Sequence, residues 1–151
     1  MAMESETLRI LFQIMLAAFL GLVMGFERRH SGKSAGLRTY ALVAMGAALF
    51  TILSTVGFSE FRGISDPTRV ASQVVVGIGF LGAGLIFVKG GDVVGLTTAA
   101  GLWVSAAIGM AVGLQMYAIA IFTAILSLLI LWPLKKLEER ISPENNNGPE
   151  A

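Results

Sequence analysis

Charged residues in this chain come in short clusters, and five stretches almost free of charge run between them. The stretches are Leu8–Phe26, Tyr40–Phe58, Val70–Val88, Val93–Gly113 and Leu114–Trp132. Each is about 20 residues long, the length that carries an α-helix across a hydrocarbon core of about 30 Å. The pattern predicts an all-α fold, a polytopic membrane bundle of five transmembrane helices. The transmembrane domain takes in residues 1–141. The polar tail 142–151, with two of the four prolines, reads as disordered. The first stretch reads as a span and not a signal peptide, because its flank Met1–Thr7 is acidic where a basic region is needed. Between the fourth and fifth stretches only Gly113, Leu114 and Gln115 are left to turn the chain. The fourth also carries Thr97, Thr98 and Ser105 among many glycines and alanines, so it is either shielded by neighbouring helices or re-entrant.

Composition narrows the picture further. Of 151 residues, 55% are hydrophobic and 14% charged, against about 25% charged in an average soluble domain, and the mean hydropathy is +0.76. The net charge of +1 argues against nucleic acid as a partner, and membrane lipid is the expected surrounding. With no cysteine and a single histidine, His30, the chain lacks material for a disulfide framework, a thiol nucleophile or a His/Cys metal site. No metal, cofactor or catalytic residue is expected, and the chain does not read as an enzyme. Gly77, Gly79 and Gly82 fit the spacing of a dinucleotide fingerprint, but no strand precedes them and they fall in mid-span.

Charge also sets an orientation. With loops alternating across the membrane, Arg28, Arg29, Lys33, Arg38, Lys89, Lys135, Lys136 and Arg140 fall on one side, and Arg9, Arg62 and Arg69 on the other. The positive-inside rule puts the first group in the cytoplasm, the N-terminus outside and the C-terminus inside. Tyr40 and Trp132 would then lie in the inner aromatic belt, Phe58 and Tyr117 in the outer one.

A weak internal repeat is visible. Glu6…Arg9…Gln13 is answered by Asp66…Arg69…Gln73, Phe19–Gly21 by Phe80–Gly82, and Gly36–Thr39 by Gly95–Thr98, at offsets of 59 to 61 residues. Spans 1–2 and 3–4 would be parallel copies about a pseudo-twofold axis along the membrane normal.

Small residues four apart give several spans a smooth face for close approach: Gly21 and Gly25 in the first, Gly79 and Ala83 in the third with Gly82 beside them, Gly101, Ser105 and Gly109 in the fourth. These faces serve bundling inside one chain, and they also suit a second copy, a dimer or larger homo-oligomer, or another membrane protein. The fifth span is mostly bulky and reads as lipid-facing.

Two polar groupings remain. At the inner face, Glu27, Arg28, Arg38 and Thr39 bracket the loop between spans 1 and 2, with Thr97 and Thr98 as repeat counterparts. They read either as snorkelling and topology signals or as a site where Arg38 and the first N–H groups of span 2 attract an anion. At the outer face, Glu6, Arg9, Asp66, Arg69 and Gln73 could form an ionic ring, although Asp66-Pro67 is also ordinary helix-start chemistry. Every acid lies at or beyond a span boundary, which argues against ion-coupled transport.

At these residues the chain resembles the MgtC/SapB family of bacterial inner-membrane proteins. The segments GLVMGFERRHSGKSAGLRTYALVAMGAAL, DPTRVASQVVVGIGFLGAGLIF and GLTTAAGLWVSAAIGMAVG carry the resemblance. The positions that match its shared motifs are Glu27, Arg28, Gly36, Arg38, Thr39, Asp66, Arg69, Gln73, Gly79, Gly82, Gly84, Thr97, Thr98 and Trp103. The resemblance implies a multi-pass plasma-membrane protein tied to low magnesium or stress and to virulence in pathogens. It also implies a regulatory rather than enzymatic role, acting through helix association with other inner-membrane proteins. The soluble ACT-like domain that follows the membrane domain in well-known members is not expected in this chain. The competing reading is a passive channel or transporter for Mg²⁺ or another small ion.

Overall fold

The computed structural model describes residues 2–57 and 67–134. Five α-helices make up most of it: α1 (Ala2–His30), α2 (Leu37–Ile52), α3 (Pro67–Ala83), α4 (Leu96–Gly113) and α5 (Tyr117–Leu131). A single π-helical turn, Leu53–Gly57, prolongs α2, and a two-stranded hairpin, β1 (Phe87–Lys89) and β2 (Asp92–Val94), joins α3 to α4. By length and hydropathy, Glu4–His30, Leu37–Val56 and Leu96–Gly113 are long enough to cross a membrane, while Thr68–Ala83 and Tyr117–Leu131 are shorter apolar helices.

The centre of the bundle is α1, α2 and α4 packed on one another, with α5 laid against α4 and α1, and α3 against α4. The small residues decide this arrangement. A Cβ built at Gly21 would lie 2.5 Å from the carbonyl oxygen of Tyr40, and one at Gly25 2.7 Å from Cα of Leu37, so α1 rides on the backbone of α2. On α4, a Cβ at Gly109 would collide with the carbonyl of Ala44, and one at Gly113 would lie 2.8 Å from that of Ala48. Such close approach brings backbones into dispersion contact where lipid offers no hydrophobic drive. Around these contacts sit the fully buried Met24, Tyr40, Leu102, Ile108 and Val112. Helix α4 packs against α1, α2, α3 and α5 and keeps Ala100, Trp103 and Ala107 exposed. Helix α5 gives Ala120 and Ala124 to the packing and leaves Phe122, Ile125, Leu129 and Ile130 exposed.

Two helix ends share one design. At the end of α1, Gly32 has φ +71°, Gly32 N–H donates to the Arg29 carbonyl, and Lys33 N–H donates to that of Arg28. At the end of α4, Gln115 has φ +63°, and the corresponding bonds run from Gln115 to Val112 and from Met116 to Ala111. Both are Schellman caps. The second is how three residues suffice to turn α4 into α5.

The structure corrects two readings. The stretch expected as a span over Val70–Val88 is helical only to Ala83, and the one over Val93–Gly113 only from Leu96; between them lies the hairpin. Phe87 pairs with Val94, Val88 with Val93 and Lys89 with Asp92. The turn is Gly90-Gly91, at φ +63° and +96°, as a tight hairpin turn with two left-handed residues requires. Tyr40, expected in an interfacial belt, is fully buried.

Candidate functional site

The expected inner-face residues separate into two places. Glu27, Arg28 and Thr98 come together at the end of the bundle where α1 stops and α4 starts. Arg28 closes α1 in its last turn, beside Arg29 and His30, where the helix dipole favours cations. Its side chain is 3% exposed and turns inward, so it does not snorkel. Arg28 Nη2 donates to Thr98 Oγ1 at 2.9 Å, and Nη1 lies 3.7 Å from Glu27 Oε2. Glu27 is held from its own helix by Ser31, whose hydroxyl donates to Oε1 at 2.8 Å. Glu27 Oε2 and Arg28 Nε are buried with no hydrogen-bond partner. The ion pair is therefore close but loosely satisfied.

Tyr40 braces this knot. Its hydroxyl donates to the Thr98 carbonyl at 3.1 Å, and its own carbonyl accepts from the Ser105 hydroxyl at 3.1 Å. A Cβ at Gly101 would strike the Tyr40 hydroxyl, so Gly101 and Ser105 make room for and bind the same tyrosine. At the far end of α4, Gln13 is 2% exposed and donates from Nε2 to the carbonyls of Val112 and Gly113 at 2.9 and 3.0 Å. These are carbonyls at the C-terminal end of a helix, which lack intrahelical donors. Gln13 and Tyr40 were legible only as a repeat position and a belt residue. The signal that could have found them is a large polar side chain inside a span opposite a run of small residues.

Arg38 and Thr39 are exposed and stand apart from the Arg28 knot. They enter a groove of about 1080 Å³ between α2 and α3. Arg69 and Gln73, expected at the outer face, line the same groove from α3. Because the two helices are antiparallel, Arg38 and Leu81 sit at one end, and Arg69 and Phe50 at the other. The wall between is apolar, with Leu42, Val43, Val70 and Val74. Ala47 and Ile78, which also line it, are buried in a small cluster with Ala106 of α4. Among the described residues neither Arg38 nor Arg69 has an ion-pair partner. The two polar groupings thus contribute opposite ends of one feature.

The other expected residues are more scattered. Arg9 pairs with Glu6 at 3.1 Å on the exposed first turns of α1. Asp66, and with it the ionic ring, lies outside the described residues. Thr97 is exposed. A Cβ at Gly82 would make ordinary contact with Ala99 at 3.6 Å, whereas one at Gly79, Gly77 or Gly46 would meet nothing within 4 Å. Gln13 and Gln73, matched by the sequence pattern, are placed differently, one buried and bonded, the other facing the groove. Among the described residues no three acidic or histidine side chains gather where they could hold a metal ion.

Five apolar helices, packed through glycine and with most of their interior polar groups bonded within the chain, define a polytopic α-helical membrane protein. The chain belongs to the MgtC family, whose profile matches residues 14–140. It is 44% identical over 143 residues to a protein of Escherichia coli K12 named "Putative magnesium transporter YhiD", covering 92% of this chain and 66% of that protein. It is 55% identical over 97 residues to Protein MgtC of Brucella abortus strain 2308, covering 64% and 39%. It is 37% identical over 145 residues to Protein SrpB of Synechococcus elongatus, covering 89% and 80%. The chain thus spans no more than about two thirds of the first two of these relatives. No solved structure matches it.

Proposed function

We propose that this chain is a non-enzymatic regulator of the bacterial inner membrane that acts by associating with other membrane proteins and with a second copy of itself. Its N-terminus lies outside and its basic end in the cytoplasm, as the positive-inside rule requires. The link to magnesium limitation or stress rests on family membership and on the name of the Escherichia coli relative.

One observation carries the reading. The interior of the bundle is closed: Met24, Tyr40, Leu102, Ile108 and Val112 fill it, and Gln13, Thr98 and Ser105 are hydrogen-bonded there. Among the described residues, the two buried side-chain atoms without a hydrogen-bond partner, Glu27 Oε2 and Arg28 Nε, belong to one ion pair at its end. A pore would need polar groups left free to replace an ion's hydration shell. What the molecule offers instead is surface. Helix α3 packs on α4 by one side, and Ser72, Val76, Gly79, Phe80 and Ala83 lie exposed along another. Gly79 on that face has open space, so a partner helix could approach closely.

The transport reading draws on the relative's name. Its best route would be the α2–α3 groove, closed over by another copy. Arg38 and Arg69 at the two ends would repel a divalent cation entering from either side.

The test has two parts. Purified protein in proteoliposomes should pass no Mg²⁺ above empty vesicles, beside a channel control that does. Photo-crosslinkers at Val76 and Phe80 should capture a membrane protein in cells, and Gly79→Leu should abolish capture without lowering Tm. Mg²⁺ flux, or capture unaffected by Gly79→Leu, would overturn the proposal.

A further inference from the structure

We infer that the groove between α2 and α3 is a binding site for one anionic phospholipid, with its phosphate on Arg38 and an acyl chain lying along the groove toward Phe50. The inference goes beyond association with proteins and needs no partner protein to be tested.

Shape and charge both point to this occupant. From Arg38 to Phe50 the groove follows 12 residue-to-residue steps of α2, about 18 Å at the rise of an α-helix. One leaflet's share of a hydrocarbon core is about 15 Å, so the groove matches the reach of a single layer's chains. Its walls are apolar between two polar ends: Arg38 and Thr39 stand at one, where α1 brings Arg29 beside Gly36 and the hairpin after α3 carries Lys89, and Arg69 and Gln73 stand at the other. Helix α2 begins there at Leu37, with Gly36 as an N-cap that makes no side-chain hydrogen bond, and the positive end of its dipole favours an anion nearby. Arg38 itself is exposed and has no ion-pair partner among the described residues. A guanidinium with a hydroxyl beside it, at the mouth of an apolar channel, complements a phosphodiester with a chain attached. A symmetric pairing of the α2–α3 faces of two copies would bring no acidic side chain to Arg38, since neither helix carries one.

The lining also supplies clean variants. Gly46 and Gly77 face the groove, and a Cβ at either meets nothing within 4 Å. A leucine at either position therefore occupies the groove without disturbing the bundle.

The experiment is native mass spectrometry of the full chain, loaded from micelles with phosphatidylglycerol or phosphatidylcholine of the same chain length. Phosphatidylglycerol should be retained about fivefold better, the scale of one arginine meeting an anionic lipid. Arg38→Gln should bring it down to the phosphatidylcholine level, Arg38→Lys should keep most of the preference, and Gly46→Leu should lose both lipids. If Arg38→Gln is not monodisperse, the lysine and Gly46→Leu variants decide the matter. Equal retention of the two lipids would overturn the proposal. So would a preference that persists in Arg38→Gln, displacement of phosphatidylglycerol by inorganic phosphate, or a Gly46→Leu variant that changes oligomeric state and keeps its lipid.

Discussion

Three side chains show how polar residues are accommodated inside this bundle. Arg28 donates to the Thr98 hydroxyl while Tyr40 donates to the Thr98 carbonyl, so one threonine anchors two other helices. The two bonds differ in strength. A bond to a charged group contributes about 1.5–3 kcal/mol, whereas neutral side-chain bonds in membrane proteins average about 0.6 kcal/mol. Thr98→Val should therefore lower the unfolding midpoint in a denaturing-detergent titration more than Tyr40→Phe does, and equal shifts would contradict the geometry. Gln115 makes the opposite case. It is a side-chain-bearing residue at φ +63° in the cap of α4, where the left-handed conformation costs about 1–2 kcal/mol that glycine avoids. Gln115→Gly should raise Tm, as Gly32 already performs the same task for α1. A fall in Tm would mean that the Gln115 side chain contributes more than its backbone costs. Neither role was legible in advance. Tyrosine at the start of a span fits an aromatic belt, and only the meeting of Gly101, Thr98 and Ser105 across 58 to 65 positions shows that it is buried.

At the scale of elements, the five apolar stretches were readable because hydropathy is a property of each segment alone, and their ends were less so. The apolar residues Phe87, Val88, Val93 and Val94 extended the third and fourth stretches into what is a hairpin. The local cue was Gly90-Gly91 between Lys89 and Asp92, a pair suited to a two-residue turn. The small-residue faces were legible as faces, but the side of the molecule they serve was not. Gly21, Gly25, Gly101, Gly109 and Gly113 are closed against neighbouring helices, and Gly46, Gly77 and Gly79 are open. This division predicts two classes of variant. Gly109→Leu would drive a side chain into the Ala44 backbone and should destabilise by about 1–3 kcal/mol or more. Gly79→Leu should stay within about 0.5 kcal/mol, as surface substitutions do. Thermal unfolding of the two proteins in the same detergent checks this, and similar losses in both would show that α3 packs more tightly than its open glycine implies.

For the whole molecule, the inner and outer polar groupings looked like separate sites because a sequence carries no distance between α2 and α3. Folding places Arg38 and Arg69 at the two ends of one groove and withdraws Glu27 and Arg28 into the body. The bundle is consequently uneven. Helices α1, α2 and α4 share glycine-mediated backbone contacts and the buried cluster around Met24, Tyr40 and Leu102. Helix α3 rests on the small Ala47–Ile78–Ala106 cluster and keeps Val75, Val76, Phe80 and Leu81 exposed. Segments with few buried contacts open at lower free energy than the core to which they attach. Hydrogen exchange of the full chain in micelles should therefore find α3 amides exchanging faster than those of α4, although both helices are apolar. The contrast should be largest at Gln73, Val74 and Gly77, which line the groove, against Leu102–Ala106 at the centre. Equal protection in the two helices would mean that α3 is fixed by something beyond its contacts within this chain. Its groove and outer face would then be occupied in the micelle by lipid or by a second copy, a difference that repeating the exchange on Gly46→Leu would resolve.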